Sequence, residues 1–202
     1  MIPASVAAAI VAAGRRLDAL GLVPATAGNF SIRLDAAHLA VTASGCHKGF
    51  LTPEDVLVVD LDGTVQGSAR KSSAETLLHC GIYRRFPEAG AVLHGHSMAN
   101  TVLSRATNSI LTLAGYELLK VFPGLPTHDA AVEIPVLHND QDIARMQRGL
   151  DRLWDAQAEV QPGYLIRGHG AYVWAADMPG ALTRLEALEF MLGCELEERR
   201  MR

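Results

Sequence analysis

Residues 89–96 read Ala-Gly-Ala-Val-Leu-His-Gly-His, a run of small and branched apolar residues with no polar alternation before its end. An exposed strand face would demand a polar residue at every second position, so this run predicts a strand covered on both sides. Such a strand lies inside a sheet with helices above and below it. His94 and His96 stand two residues apart at its end, and on an extended backbone residues so spaced leave the same face. Both imidazoles can therefore be aimed at one point.

Working outward, residues 74–85 predict a helix with Ser72 or Ser73 as its N-cap, stopped before Pro87. Residues 98–105 predict another. Nearer the start, Val6, Ile10, Val11, Leu17 and Leu20 recur at helical intervals up to Gly21. Residues 29–34 and 38–43 alternate like a hairpin, and 56–61 with 64–65 repeat the pattern across an Asp62-Gly63 turn. Later, 132–137 predict a strand and 140–157 a long helix. Residues 164–166 and 171–174 predict a hairpin around Gly168-His169-Gly170, and 179–199 a final helix opened by Pro179. Strands in the middle and helices at both ends do not follow the strict alternation of a doubly wound unit, so a mixed or antiparallel sheet with helices on its faces is expected.

The chain has 202 residues, 49% hydrophobic and 20% charged, without a repeat or linker-like stretch, which predicts one domain over 1–202. A domain of this size buries enough surface to fold without a structural metal, so a metal here would serve function. The formal net charge is −4 with both signs interspersed, which offers no cationic face for nucleic acid or anionic lipid. The apolar run at residues 5–14 is too short to span a bilayer and lacks signal-peptide flanks, so a cytoplasmic protein is expected. Cys46, Cys80 and Cys194 are odd in number and far apart, which predicts reduced thiols; Cys46 either packs in a turn or lines a pocket.

The chemistry gathers around the histidine pair. A catalytic zinc usually takes three protein ligands and keeps a fourth place open, and His169, flanked by glycines that permit a tight turn, is the candidate third. Glu75, in the first turn of the 74–85 helix, is a capping carboxylate or an acid/base group. Glu117 lies among apolar neighbours in Gly-Tyr-Glu-Leu-Leu-Lys, where burial would raise its pKa toward neutrality and suit it to move protons both ways. Asn29, Ser44, Gly45, Lys48, Ser72 and Ser73 lie in turns and caps whose N–H groups, joined by one lysine charge, can hold an anion. Of the other histidines, His38, His47, His79, His128 and His138, only His47, beside Lys48, is expected near a substrate.

The segments ATAGNFS, SGCHKG, KSSAETLLH, AVLHGHS and YLIRGHGAYVW, in this order, resemble the class II aldolase/adducin-head superfamily over nearly the whole chain. Within it, HKGFLTPEDVLVVD, GYELLK, HNDQDI and LEALEFMLGCELE are similar to a sugar-phosphate dehydratase branch. The resemblance implies a three-layer α/β/α fold with a largely antiparallel central sheet. It implies a homotetramer with active sites near subunit boundaries, and one zinc ion per subunit on His94, His96 and His169. It implies a small phosphorylated ketose as substrate, its phosphate held by Asn29, Ser44, Gly45, Ser72 and Ser73. Glu75 matches the acid/base residue of the aldolases and Glu117 that of the dehydratases. Ala27 replaces a serine common in aldolases. An aldolase or a 4-epimerase is the competing activity; an adducin-like association domain would be expected to have lost the metal ligands, which are present.

Overall fold

The computed structural model describes residues 2–157, 160 and 163–202. Its strands are β1 Asn29–Arg33, β2 His38–Thr42, β3 Val56–Asp60, β4 Val65–Gln66, β5 Ala91–Gly95, β6 Ile110–Ala114, β7 Ala131–Leu137, β8 Gly163–Ile166 and β9 Gly170–Ala175. They form one sheet in the order β4-β3-β2-β1-β5-β9-β8-β7-β6. Among the described residues only β7 and β8 pair in parallel; the other neighbours are antiparallel. The tight turns follow from local side chains. Asp35 Oδ1 accepts from the backbone of Ala37 and His38 at 2.7 and 2.9 Å, and Asp60 Oδ1 does the same for Asp62 and Thr64 at 2.9 Å each.

Among the described residues five α-helices cover the sheet: α1 Ala4–Ala19, α2 Thr76–Arg85, α3 Met98–Ala106, α4 Ile143–Asp155 and α5 Met178–Met201. Alternation along the strands divides the interior into two cores. Ala91 and Leu93 of β5 join Phe30, Val173, Ile10 and Leu17 of α1, Leu103 of α3 and Leu185 of α5. Val92 joins Val41, Tyr164, Trp174, Leu78 and Ile82 of α2 and Leu150 and Trp154 of α4 on the opposite face. This is the three-layer arrangement with β5 at its centre. Cutting Leu93, fully buried, to alanine would cost about 2–5 kcal/mol because the rigid sheet around it cannot collapse into the void.

The elements depart from expectation in three places. α2 begins at Thr76 rather than residue 74: the Ser73 carbonyl accepts from Thr76 N at 3.1 Å and Ser73 Oγ from Glu75 N at 3.3 Å, which makes a turn that delivers Glu75 as the N-cap residue. Neither Ser72 nor Ser73 is the N-cap, and Glu75 is not in the first turn. Ser72 instead makes a single antiparallel bridge to Ala43. α4 starts at Ile143 because Asp142 caps it, accepting from Arg145 N at 2.9 Å. β6, where the sequence predicts no element, alternates buried Leu111 and Leu113 with exposed neighbours at the sheet edge.

Candidate metal centre and anion cradle

Three neighbouring strands carry the centre. Asn29 on β1, His94 on β5 and Tyr172 on β9 lie in register across them, at the end of the sheet where β5 gives out. His96 lies just beyond β5, its backbone N donating to the Leu22 carbonyl at 2.7 Å, and His169 sits in the tight turn between β8 and β9. The imidazole centroids of His94, His96 and His169 are 4.4 to 5.2 Å apart, and one ring nitrogen from each lies within 4.8 Å of the others. Glycine is required beside them. A Cβ at Gly170 would collide with the Gly95 carbonyl and lie 2.6 Å from His94 Cε1, so only the bare backbone admits the ring.

His94 is fully buried and stacks face to face on Tyr172 with centroids 4.0 Å apart. Its Nδ1 donates to the Ala171 carbonyl at 2.9 Å, which fixes the tautomer and leaves Nε2 as a bare lone pair. Burial, with His169 nearby, holds the His94 pKa well below its usual value; burial first, then His94 and His169, push that of His96 down to about 3. These two rings are thus neutral at physiological pH.

Glu75, with only 9% of its surface exposed, faces these nitrogens: Oε2 is 3.3 Å from His94 Nε2 and Oε1 is 3.1 Å from His169 Nε2. With Nδ1–H committed to Ala171, the 3.3 Å approach sets a lone pair on His94 against a carboxylate oxygen. Among the described residues His94 Nε2 has no hydrogen-bond partner. A cation relieves that repulsion, and three imidazoles with one adjacent carboxylate suit a borderline divalent ion. Among the described residues, His94, His96 and His169 are the cluster able to hold one.

A cavity of about 440 Å³ opens beside the centre, lined by Asn29, Ser44, Gly45, Lys48, Ser73 and Glu75 among others, together with His96 and His169. The Ala43–Ser72 bridge brings the two polar loops together, and Ser44 N donates to the Lys71 carbonyl at 2.9 Å. Lys48 is 2% exposed, and its Nζ donates to the Thr26 carbonyl at 3.0 Å. No carboxylate among the described residues lies within ion-pair distance of it, and burial lowers its pKa. A buried ammonium partnered only by neutral groups at a cavity wall has the chemistry to receive an anion. Gly28, at φ 80°, brings the loop backbone against the His94 carbonyl, where a Cβ would lie at 2.8 Å.

Six of the residues named from sequence as anion or acid/base groups therefore line one cavity, and Ser72 stands at its edge through the bridge. Glu117 does not join them. Its side chain is 69% exposed at the start of a short 3-10 turn, paired with Lys120, and the Lys120 ammonium pulls its pKa down. The expectation of burial and a raised pKa is overturned: on this turn Leu119 points inward and Glu117 outward. His47 caps its own turn, its Nδ1 accepting from Gly49 N at 3.2 Å, and does not line the cavity. Cys46 packs against Asp55, its Sγ 3.3 Å from Oδ1, with Arg70 alongside. Asn139, Asp140 and Gln141 also line the cavity, although nothing in the sequence pattern assigns them a role.

A sheet between two helical layers, with three converging histidines beside a polar cavity, is the arrangement of a class II aldolase-type protein. The comparisons agree: residues 8–196 match the family described as Class II Aldolase and Adducin N-terminal domain. The chain belongs to this family. A protein of Gluconobacter oxydans named methylthioribulose-1-phosphate dehydratase is 55% identical over 93% of this chain and 89% of that protein. One of the same name from Granulibacter bethesdensis is 52% identical over 99% and 95%. Among solved structures, L-fuculose-1-phosphate aldolase from Thermus thermophilus superposes with a TM-score of 0.78 at 29% identity, covering 98% of this chain and 97% of that one.

Proposed function

We propose that the chain is a zinc-dependent lyase that dehydrates 5-methylthioribulose 1-phosphate to 2,3-diketo-5-methylthiopentyl 1-phosphate, a step of methionine salvage. The observation that carries this reading is the bare His94 Nε2 set against Glu75, which lines a cavity walled also by a buried lysine with no carboxylate partner among the described residues. The relatives' names supply the substrate. His94, His96 and His169 would hold the ion, which would supply Lewis-acid polarisation of the ketose C2 carbonyl. Lys48, Asn29, Ser44, Gly45, Ser72 and Ser73 hold the phosphate away from the reacting carbons and fix register. Glu75 receives the C3 proton. The C4 hydroxyl leaves as water with a returned proton, and the enol becomes the diketone.

Glu117 is proposed as a second acid/base group acting in the site of a neighbouring subunit. Its exposure in the single chain fits that role, and so does a homotetramer closing over the apolar groove of Leu118, Val121, Leu182 and exposed Phe190. The methylthio end is proposed to lie in the adjoining cavity lined by Pro24, Met98 and Val102, which shares His96, Asn139, Gln141 and His169 with the phosphate cavity. One catalytic domain over 1–202 in the cytoplasm completes the proposal; among the described residues no helix is long and apolar enough to cross a membrane.

Metal analysis joined to product identification tests the reading. About one zinc per chain and an uncleaved diketone from methylthioribulose phosphate are expected, and His96→Ala should lose most metal and nearly all turnover. A phosphorylated three-carbon fragment would establish an aldolase, the activity in the name of the Thermus thermophilus neighbour.

A further inference from the structure

On α2 and the turn before it, Glu75, His79 and Tyr83 stand four residues apart and share one helix face; on β1, Asn29 and Ser31 stand two apart and share one strand face. These two rows interlock in the interior. Tyr83 Oη is 2.9 Å from Ser31 Oγ, Ser31 Oγ is 2.7 Å from His79 Nδ1, His79 Nε2 contacts Asn29 Oδ1, and Asn29 Nδ2 donates to Glu75 Oε2 at 2.9 Å. Ser31, His79 and Tyr83 are each at most 2% exposed, so water does not compete for these bonds.

The direction of every bond follows from the last. The carboxylate oxygen accepts, so the Asn29 amide turns its NH2 toward Glu75 and its carbonyl toward His79. His79 Nε2 must then carry the proton and donate. Its Nδ1 is left as acceptor for the Ser31 hydroxyl, and Ser31 Oγ in turn accepts from Tyr83. Burial, which lowers the His79 pKa to about 4, agrees with a neutral ring. We propose that His79 is a positioning residue: held by Ser31 and Tyr83, its Nε2–H locks the Asn29 carboxamide in the one orientation that aims Glu75 at the metal centre. A ring with the opposite tautomer would flip the amide and set its carbonyl against the carboxylate.

This inference rests on the lyase reading only for its kinetic test. The first measurement is nitrogen NMR of isotope-labelled full-length protein, which reports histidine tautomers without substrate. The Nε2–H form is expected for His79, and an Nδ1–H form overturns the proposal. The second compares His79→Gln, whose terminal amide can still donate to Asn29, with His79→Asn, which can reach Ser31 alone. In the zinc-loaded enzyme His79→Asn should lower kcat roughly 10–100-fold with KM and zinc content little changed, while His79→Gln stays within about tenfold of the parent. Equal losses in the two variants, tracking thermal stability, would mean a packing role and overturn it. Absence of turnover in the parent would defeat the lyase reading instead, leaving the tautomer measurement to decide.

Discussion

Without bound metal, lowering the pH should destabilise this protein through its buried histidines. In the folded chain His79 has its pKa lowered to about 4 by burial and His96 to about 3 by burial and the two neighbouring rings, and His94 lies well below the ordinary value. In the unfolded chain all three return to about 6.5. The unfolded state therefore binds more protons as pH falls below about 6.5, so the stability present above that value is lost on acidification, until the folded pKa values are reached. At a pH of about 5.5 each such group has removed about 1.4 kcal/mol relative to pH ~8, and three together about 4 kcal/mol, a large share of an ordinary folding free energy of about 5–15 kcal/mol. Glu189 acts in the opposite sense. Its burial raises its pKa, so the stability it contributes is present at low pH and lost as pH rises through its folded value. A difference between parent and His96→Ala cancels that contribution. Urea unfolding in chelator at one chain concentration, at pH ~8 and pH ~5.5, should show the variant losing about 1.4 kcal/mol less than the parent. Identical pH dependence in the two proteins would refute the view that His96 is buried neutral in the metal-free fold.

Three further outcomes are expected. Lys48→Met should raise KM for the phosphorylated substrate by about 10–100-fold with a smaller change in kcat, since it removes a charge-assisted contact made to the non-reacting end; initial-rate kinetics read it, and an unchanged KM would remove Lys48 from the cradle. Gly170→Ala should abolish stoichiometric zinc binding in metal analysis, because the added methyl drives the Gly95 carbonyl and the His94 ring apart; full occupancy would contradict that crowding. Met98→Asp, at a residue 72% exposed in the cavity it lines with His96 and His169, should weaken kcat/KM for the methylthio substrate by about tenfold or more while leaving phosphate inhibition intact. Equal effects on both would argue against a thioether subsite there.

The fold was legible where burial follows period. The unbroken apolar run before His94 marked a central strand, and the glycines around His169 marked the turn that returns the third imidazole to it. Legibility failed where neighbours in sequence diverge in space. Glu117 sits among leucines, yet on a 3-10 turn those side chains point away from it. β6 carries little readable signal because an edge strand buries only Leu111 and Leu113, too little pattern to separate from a loop. His79 carried no visible signal alone; its partners lie on β1, far earlier in the chain, and only the match of a four-residue helical spacing to a two-residue strand spacing identifies them. Ser72 and Ser73 read as caps because serine caps helices often, whereas here Ser73 builds the turn that presents Glu75.

The three imidazoles differ in what holds their backbones. His94 belongs to β5, laddered on both sides by β1 and β9, so its amide should exchange with deuterium only on global unfolding. His96 and His169 sit past the strand ends. An ion leaving this centre would therefore depart by release from those two outer rings, with His94 as the last tether, and the exit rate should follow the opening of the β8–β9 turn rather than the melting of the sheet.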